Sequence, residues 1–400
     1  MSDVVNSGCC IPWLHLRSPF AVAICPARAP SVGVRQEDRT KMRITAQPGI
    51  MDIALYQGGA SQIDGQAEPL KLSSNENPSG CSPAASAKVA ETALDLHRYP
   101  STDHSALRMA IGQVHGLDAG RIICGVGSDE LLTLLAMAFA GPGDEVLYTE
   151  HGFSMYRIFA LSAGATPVVA PEKDRTVDID AIIDRLTPAT RLVYIANPAN
   201  PTGTAIGLEA LRRLAQSVPP TSLLVLDGAY AEFFEGYDGG ASLVDEFDNV
   251  VMTRTFSKLY GLGGLRVGWA YATQEVIDVL NRVRGPFNLS SVALAGAEAA
   301  VNDRAFVETC LQENAAQRVR LMGGLNQLGI ACDPSHANFV LARFADEAEA
   351  LAADAHLKSE GILVRIVKGY GFPEALRITV GRADDVTRVL DALARFKGVS

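Results

Sequence analysis

Short apolar runs alternate with amphipathic helical patterns from about residue 105 to residue 286, and this alternation constrains the fold more than any other feature. Several runs are continuous stretches of Val, Ile and Leu, which is typical of strands buried on both faces. Such alternation favours an α/β domain with a mostly parallel sheet covered by helices. The predicted strands are 122–125, 145–148, 166–169, 191–195, 222–226, 249–253 and 266–270, and the predicted helices between them are 129–139, 153–163, 178–185 and 208–217.

The pattern changes after Pro286, where longer helices are predicted. The expected helices are 291–302, 304–328, 347–360 and 384–396, and the expected strands are 338–342, 362–367 and 376–380. We therefore predict a large domain over residues 95–285 and a small α+β domain over 286–400, with residues 46–94 an N-terminal segment that forms part of the small domain. Residues 1–45, which hold three of the seven cysteines, are predicted to be a poorly ordered extension.

Composition and charge exclude several classes of protein. Hydrophobic residues make up 48% of the 400 positions and charged residues 20%, which excludes a disulfide-stapled mini-protein and a mostly disordered chain. The net charge of −10 argues against a nucleic-acid partner. No apolar stretch approaches the ~18 residues of a membrane span, so no membrane association is expected. The cysteines form no C-x-x-C pair, which indicates reduced thiols in a cytoplasmic protein and no metal site.

A rigid loop follows the predicted strand 191–195. Segment 197–203 reads Asn-Pro-Ala-Asn-Pro-Thr-Gly, and both of its X-Pro bonds are candidates for the cis form. Loops at the carboxyl ends of parallel strands are where α/β proteins bind ligands. The segment is therefore either a ligand-binding loop or only the turn into the next helix.

An acidic residue follows the predicted strand 222–226. This residue is Asp227, and Tyr230 stands three positions later. A carboxylate that is buried without a partner is costly, so a cationic partner would explain its position. The alternative is that Asp227 caps the start of a helix.

A lysine, Lys258, stands shortly after the predicted strand 249–253. Two hydroxyl side chains, Thr255 and Ser257, precede it, and Arg266 follows eight residues later. Lysine amines with a lowered pKa form Schiff bases. The hydroxyls and the arginine would suit a phosphate. The alternative is a solvent-facing lysine after a strand.

A glycine-containing segment, Gly-Val-Gly-Ser-Asp-Glu at 125–130, precedes the predicted helix 129–139. The free N–H groups at a helix N-terminus favour an anion, and Ser128 is the predicted N-cap. The segment does not match the dinucleotide-binding fingerprint, because Glu130 takes the place of its last glycine. The simple alternative is an ordinary helix start.

The order and spacing of these features resemble those of the fold-type I pyridoxal-phosphate aminotransferases. Five further stretches, 72–78, 97–100, 153–156, 337–340 and 376–381, resemble the histidinol-phosphate aminotransferase branch. The resemblance runs from about residue 50 to the C-terminus. It implies an aspartate-aminotransferase-like fold with a large cofactor-binding domain and a smaller domain.

The resemblance also implies a role for each cofactor residue. Lys258 would hold the pyridoxal phosphate aldehyde and transfer protons, and Asp227 would pair with the pyridine nitrogen. Asn200 and Tyr230 would bond to the 3′ oxygen, and Phe153 would stack on the ring. Tyr99 would reach the phosphate from a second subunit, which implies a homodimer with shared active sites. The residues that would hold the phosphate are Gly127, Ser128, Asp129, Thr255, Ser257 and Arg266.

The substrate residues follow from the same resemblance. Arg377 would bind the α-carboxylate of glutamate or 2-oxoglutarate, together with Asn200. Arg365 would bind the phosphate or distal carboxylate of the substrate, and Tyr56 would assist it. The alternative interpretations of Tyr56 and Arg365 are packing and a surface position.

The leading functional prediction is a transaminase of histidine biosynthesis. It would convert histidinol phosphate and 2-oxoglutarate to imidazole-acetol phosphate and glutamate. The runner-up is the same chemistry on aromatic amino acids. Two further alternatives remain open at this point, a related lyase that decarboxylates a phosphorylated amino acid and a non-catalytic cofactor-binding module.

Overall fold

A computed structural model of the chain describes residues 45–55, 58–59, 62–63 and 68–399. Ala46–Ser400 form one compact unit. The predicted extension, residues 1–45, lies outside the described residues except for Thr45. The finer division of the chain at residues 95 and 286 stays a prediction.

The eight predicted helices begin and end within about two residues of their predicted positions, and two of them, α6 and α9, match their predicted bounds, whereas α1, α2, α7 and α8 were not predicted. None of the described helices is long and apolar enough to cross a membrane. In chain order the helices are α1 (Pro83–Thr92), α2 (Ser105–His115), α3 (Gly127–Phe139), α4 (Met155–Ser162), α5 (Ile179–Ile183), α6 (Leu208–Ser217), α7 (Ala241–Glu246), α8 (Gln274–Val283), α9 (Ser291–Asn302), α10 (Arg304–Gln327), α11 (Glu347–Ser359) and α12 (Ala383–Lys397).

The strands of the described residues fall into four sheets. They are β1 (Leu70–Lys71), β2 (Ile122–Gly125), β3 (Glu145–Thr149), β4 (Thr166–Ala170), β5 (Glu172–Lys173), β6 (Thr176–Val177), β7 (Thr190–Ala196), β8 (Leu223–Asp227), β9 (Val250–Thr255), β10 (Gly268–Tyr271), β11 (Phe339–Arg343), β12 (Ile362–Leu363), β13 (Arg365–Ile366) and β14 (Ala375–Thr379).

The largest sheet has seven strands in the order β2-β10-β9-β8-β7-β3-β4. Its strands pair in parallel except β10, which is antiparallel to both β2 and β9. The predicted mostly parallel sheet is therefore confirmed. The predicted strand 266–270 is wrong at its start, because Arg266 has a left-handed backbone (φ 54°) and β10 begins at Gly268.

Both faces of the seven-stranded sheet are covered by apolar side chains. In β8, Leu224 and Leu226 belong to one core, whereas Leu223 and Val225 belong to a second core on the other face. Successive side chains of a strand point to opposite faces, so burial of both faces requires a continuous apolar run. This explains why apolar and polar residues alternate little along these strands.

A three-stranded sheet, in the order β11-β14-β13, lies in the C-terminal part of the chain. Helices α10, α11 and α12 pack near it around a third apolar core, which includes Leu325, Leu357 and Leu393. The predicted strand 362–367 is divided, because β12 pairs in parallel with β1 whereas β13 pairs with β14. An apolar run predicts extended backbone, but it does not show which neighbouring strand each half of the run pairs with.

The carboxyl ends of the parallel strands meet at one edge of the seven-stranded sheet. Neighbouring strands β7, β8 and β9 lead there to the loop that begins at Asn197, to Asp227 and to the segment that carries Lys258. Strand β2 runs in the same direction as β9, since β10 opposes both, and it leads to α3. Ligands of open α/β sheets bind at this edge, so the topology brings the candidate residues together.

Candidate active site

A cavity with an empty volume of about 920 Å³, its open mouth included, lies at this edge of the sheet. The alternative interpretations of the four motifs, as a plain turn, a helix cap, a solvent-facing lysine and an ordinary helix start, do not explain why their side chains share one cavity. The predicted site residues that line it are Ser128, Asp129, Phe153, Asn200, Asp227, Tyr230, Thr255, Ser257, Lys258, Arg266, Arg365 and Arg377.

The N-terminus of α3 forms one wall of the cavity, and two glycines allow the close approach. Gly127 has a φ of 74°, and a Cβ there would lie 2.5 Å from a guanidinium nitrogen of Arg266. A Cβ on Gly268 would lie 2.3 Å from the backbone nitrogen of Ser128. Side chains at either position would push β10 and Arg266 away from the free N–H groups of the helix, where anions bind.

The predicted N-cap at Ser128 is wrong. The helix begins at Gly127, its N-cap is Val126, and Ser128 is the second helical residue. The backbone N–H of Val126 donates to the carboxylate of Glu130 over 2.6 Å, so Glu130 is the hydrogen-bond acceptor at the N-terminus of the helix. The Ser128 side chain therefore lines the cavity without capping the helix.

Arg266 joins the helix start to the segment after β9. Its guanidinium donates to Ser257 Oγ over 3.1 Å and to Asp129 Oδ2 over 3.1 Å. The hydroxyl of Thr255 accepts from the Ser257 backbone N–H over 3.1 Å, which fixes the turn. Two hydroxyls, a guanidinium and a helix N-terminus therefore surround one part of the cavity, which suits a phosphate.

Asp227 is a buried carboxyl group at the end of β8. Its Oδ2 accepts from the Tyr156 hydroxyl over 2.8 Å, and its Oδ1 accepts from the Ala229 N–H over 3.2 Å and the Thr253 hydroxyl over 3.5 Å. Burial raises the pKa of Asp227 to about 6, although the hydrogen bond from Tyr156 opposes that rise. No α-helix begins here, so the helix-cap interpretation is wrong. All three of these donors are neutral, so the carboxylate suits an additional cationic partner.

Lys258 lies half-buried in the same cavity, and its amine donates to the Ser74 carbonyl oxygen over 3.1 Å. Burial and the nearby charge of Arg377 lower the pKa of Lys258 to about 8. An amine with that pKa is neutral in a substantial fraction of molecules near pH 8. It is therefore suited to nucleophilic attack on a carbonyl and to proton transfer.

Tyr230 is held by a residue that the sequence left without a role. The Asn75 side-chain amide donates to the Tyr230 hydroxyl over 2.9 Å. Asn75 is itself fixed, because the Thr379 hydroxyl donates to its Oδ1 and the Asn338 amide donates to its carbonyl oxygen. Since the Tyr230 oxygen accepts from Asn75, its own proton is available to a ligand in the cavity.

Arg377 and Arg365 stand opposite each other on the antiparallel pair β13–β14. Directly opposed residues of two strands share a face of the sheet, and both side chains line the cavity. The Arg377 guanidinium donates to Asn200 Oδ1 over 2.5 Å and to the Ser73 carbonyl oxygen over 3.0 Å. The two arginines therefore add positive charge where Asn200 enters the cavity from the 197–203 loop, in which both X-Pro bonds are cis.

Three predicted site residues are not among those that line this cavity, and the first of them, Gly127, is the residue at which α3 begins, directly before Ser128. Tyr99 lies on the surface with 83% of its area exposed, and its ring stacks on Phe287 at 4.6 Å. Tyr56 lies outside the described residues. The predicted role of Tyr99 toward the cofactor phosphate of a second subunit stays a prediction.

Asn75, Tyr156 and Tyr370 are among the residues in and around the cavity that received no role from the sequence. Tyr370 lines the cavity, and its carbonyl oxygen lies 2.7 Å from His151 Nδ1. Asn75 and Tyr156 stand inside stretches 72–78 and 153–156, which carried the resemblance. Their position in these stretches was the one sign in the sequence that Asn75 and Tyr156 belong to the site. The stretches do not indicate which side chain contacts which functional group.

Comparison with known proteins agrees with this geometry. Residues 67–393 match the profile of the family described as aminotransferase class I and II. The histidinol-phosphate aminotransferase of Jannaschia sp. (strain CCS1) is 64% identical over 350 residues, 88% of this chain and 97% of that enzyme. The enzyme of the same name from Ruegeria pomeroyi is 61% identical over 355 residues, 89% of this chain and 98% of that enzyme.

A solved structure shows the same fold. The histidinol-phosphate aminotransferase of Sinorhizobium meliloti, in complex with pyridoxal-5′-phosphate, superposes with a TM-score of 0.82 at 25% identity, covering 90% of this chain and 99% of that chain. The predicted aspartate-aminotransferase-like fold is confirmed. The chain therefore belongs to the class I and II aminotransferase family, in its histidinol-phosphate aminotransferase branch.

Proposed function

We propose that this chain is a pyridoxal-phosphate-dependent transaminase that converts histidinol phosphate and 2-oxoglutarate to imidazole-acetol phosphate and glutamate. The observation that carries the proposal is the sharing of one cavity by a lysine amine of lowered pKa, a buried carboxyl group with neutral donors and a cradle for an anion. These three features fit the aldehyde, the ring nitrogen and the phosphate of the cofactor, respectively.

The cofactor would be held by the residues that already surround its three polar parts. Ser128, Ser257 and Arg266 would bind the phosphate, with the N–H groups of the α3 N-terminus. Asn200 and Tyr230 would bond to the 3′ oxygen, and the Phe153 ring would lie against the pyridine ring. When bound, the cofactor supplies an electron sink for the electrons that remain when a proton leaves the substrate.

Lys258 performs the proton transfers in this proposal. Its neutral amine would take the proton from the substrate Cα and would deliver it to the cofactor carbon that carries the aldehyde in free pyridoxal phosphate, which is general acid–base catalysis. Asp227 stays ionised beside a protonated ring nitrogen, because an adjacent cation reverses the effect of burial on its pKa. The surrounding β8 and β9 side chains exclude water from the carboxylate.

The two arginines would divide the substrate contacts. Arg377 would bind the α-carboxylate of glutamate and 2-oxoglutarate, in contact with Asn200. Histidinol phosphate carries no such carboxylate, so Arg365 would bind its phosphate. Tyr56 is proposed to assist Arg365.

The proposal includes a cytoplasmic homodimer with shared sites. Its support is the exposed Tyr99–Phe287 stack, which leaves the Tyr99 hydroxyl available to a second copy. A Tyr99→Phe chain should be weakened alone and a Lys258→Ala chain inactive alone, whereas their mixed dimers should recover part of the activity through one intact site. If mixing restores no activity, the sites are not shared.

The cofactor assignment is tested by trapping. Purified protein should carry a visible absorbance band, and borohydride reduction followed by peptide mapping should place the cofactor mass on the peptide of Lys258. Formation of glutamate from 2-oxoglutarate and histidinol phosphate should follow in the same preparation. A colourless protein that gains no band from added pyridoxal phosphate would overturn the proposal.

A further inference from the structure

Tyr156 contacts Asp227 from the side of α4, and neither the motifs nor the proposed cofactor contacts give it a role. Its side chain is fully buried, and its hydroxyl donates to Asp227 Oδ2 over 2.8 Å. The other carboxyl oxygen, Oδ1, receives the Ala229 N–H and the Thr253 hydroxyl. Tyr156 is therefore the side chain that fixes the second oxygen of this carboxyl group.

The Tyr156 ring is held in place by three aromatic neighbours, one of which is Tyr148, with ring centroids 6.2 Å apart. It stacks on Tyr194 with ring centroids 5.0 Å apart and an angle of 6° between the planes. The Phe153 ring meets it edge to face at 5.8 Å. The Tyr194 hydroxyl donates elsewhere, to the Leu132 carbonyl oxygen over 2.8 Å, so it is the stacked ring of Tyr194 that positions Tyr156. The Tyr156 hydroxyl therefore meets the carboxyl group in one fixed geometry.

The direction of the hydrogen bond follows from the protonation of the phenol. Burial, together with the adjacent Asp227 carboxylate, raises the pKa of Tyr156 well above its ordinary value. The phenol therefore stays protonated and donates its one proton to Asp227. This hydrogen bond stabilises the ionised carboxylate and opposes the rise that burial causes in the pKa of Asp227.

We propose that Tyr156 is a positioning residue that keeps the Asp227 carboxylate ionised and aimed at the cofactor ring nitrogen. The inference rests on the proposed function, since it assumes that pyridoxal phosphate occupies the cavity. One short segment would then supply two side chains to the cofactor site. Phe153 would lie against the face of the pyridine ring, and Tyr156 would bond to the carboxylate that pairs with the ring nitrogen. Without the phenol, the proton between ring nitrogen and carboxylate shifts toward the carboxylate.

The test is Tyr156→Phe, which removes one hydroxyl and keeps the aromatic stack. The matched control is Tyr194→Phe, which removes the hydroxyl of the neighbouring ring in the same stack. In holoenzyme loaded with ¹⁵N-labelled pyridoxal phosphate, Tyr156→Phe should move the ring-nitrogen NMR signal toward the unprotonated form. Tyr194→Phe should leave that signal at the wild-type position. We expect kcat of Tyr156→Phe to fall about tenfold, with KM for 2-oxoglutarate within about twofold of wild type.

An unchanged nitrogen signal in a folded, cofactor-loaded Tyr156→Phe protein would overturn the proposal, as would an equal change in Tyr194→Phe. If Tyr156→Phe does not fold, 3-fluorotyrosine inserted at position 156 keeps the ring and makes the phenol a stronger donor. The nitrogen signal should then move toward the protonated form, and no movement would overturn the proposal. Failure of the proposed function would look different, because the wild-type protein would then hold no cofactor.

Discussion

Two groups of residues reach the cavity by different routes. The strand-end group, Ser128, Asp227 and Lys258, follows strands of the seven-stranded sheet. The second-sheet group, Arg365 and Arg377, lies on the pair β13–β14, which belongs to another sheet. Parallel strand ends meet at one edge by topology alone, whereas the arginines enter the cavity only because the two sheets pack together. We therefore expect the strand-end group to govern the chemical step and the second-sheet group to govern the choice of substrate.

The largest expected effect is that of Lys258→Ala. Without the amine, kcat should fall by at least ~10⁴-fold, because both the anchor of the cofactor and the proton carrier are lost. The visible band of the bound cofactor should be lost as well. Turnover and absorbance would be measured beside Lys71→Ala, which removes a partly exposed lysine paired with Glu76. A Lys258→Ala protein with more than a tenth of wild-type kcat would contradict the account.

The next effect in size is that of Asp227→Asn. A neutral amide cannot hold a protonated ring nitrogen, so kcat should fall by about 10²–10³-fold while the cofactor remains attached. Stopped-flow measurement of the half-reaction with glutamate would isolate the chemical step. Asp180→Asn, which removes an exposed carboxylate paired with Arg213, provides the control. If the two variants have equal rates, Asp227 has no part in the chemistry.

Arg365→Ala should distinguish the second-sheet group from the strand-end group, because its effect should depend on the substrate. Loss of a charge-assisted bond to phosphate should lower kcat/KM for histidinol phosphate by about 10–100-fold. For an aromatic amino acid, the change should stay within about threefold. Arg365→Lys should restore part of the difference. An equal loss of kcat/KM for both donors would mean that Arg365 does not bind the substrate phosphate.

The smallest expected effect concerns pH. The lowered pKa of Lys258, about 8, means that its amine is protonated below that pH and neutral above it. Capture of the cofactor aldehyde needs the neutral amine, so its rate should fall about tenfold for each pH unit below 8 and level off above it. Stopped-flow absorbance of cofactor-free protein mixed with pyridoxal phosphate would measure this. A rate that keeps rising to pH 10 would show that Lys258 has the pKa of an ordinary lysine, which would contradict the prediction.

The strand-end group could be predicted from sequence for a physical reason. Each member follows an apolar run, and the runs themselves predict a parallel sheet, so the two facts together place Asp227 and Lys258 at one edge. The sequence also placed Arg377 and Arg365 in the site, but only through family resemblance. Composition and spacing gave no reason for these two arginines to meet the sheet edge.

Other features depend on long-range contacts that no local pattern encodes. Asn75 reaches Tyr230 across 155 positions, and Tyr156 reaches Asp227 across 71. The start of α3 was misplaced because Glu130, one turn inside the helix, takes over the cap that Ser128 was expected to form. The predicted strand 362–367 was divided between two sheets because hydrophobicity does not select a pairing partner.

The most direct test of the central claim is a panel of amino donors assayed with 2-oxoglutarate under the same conditions. The panel compares kcat/KM for histidinol phosphate, phenylalanine and tyrosine, which reports the discrimination between substrates in the transition state. The account predicts that histidinol phosphate exceeds both aromatic amino acids by at least about tenfold, because Arg365 binds its phosphate. An aromatic donor with an equal or higher kcat/KM would contradict it.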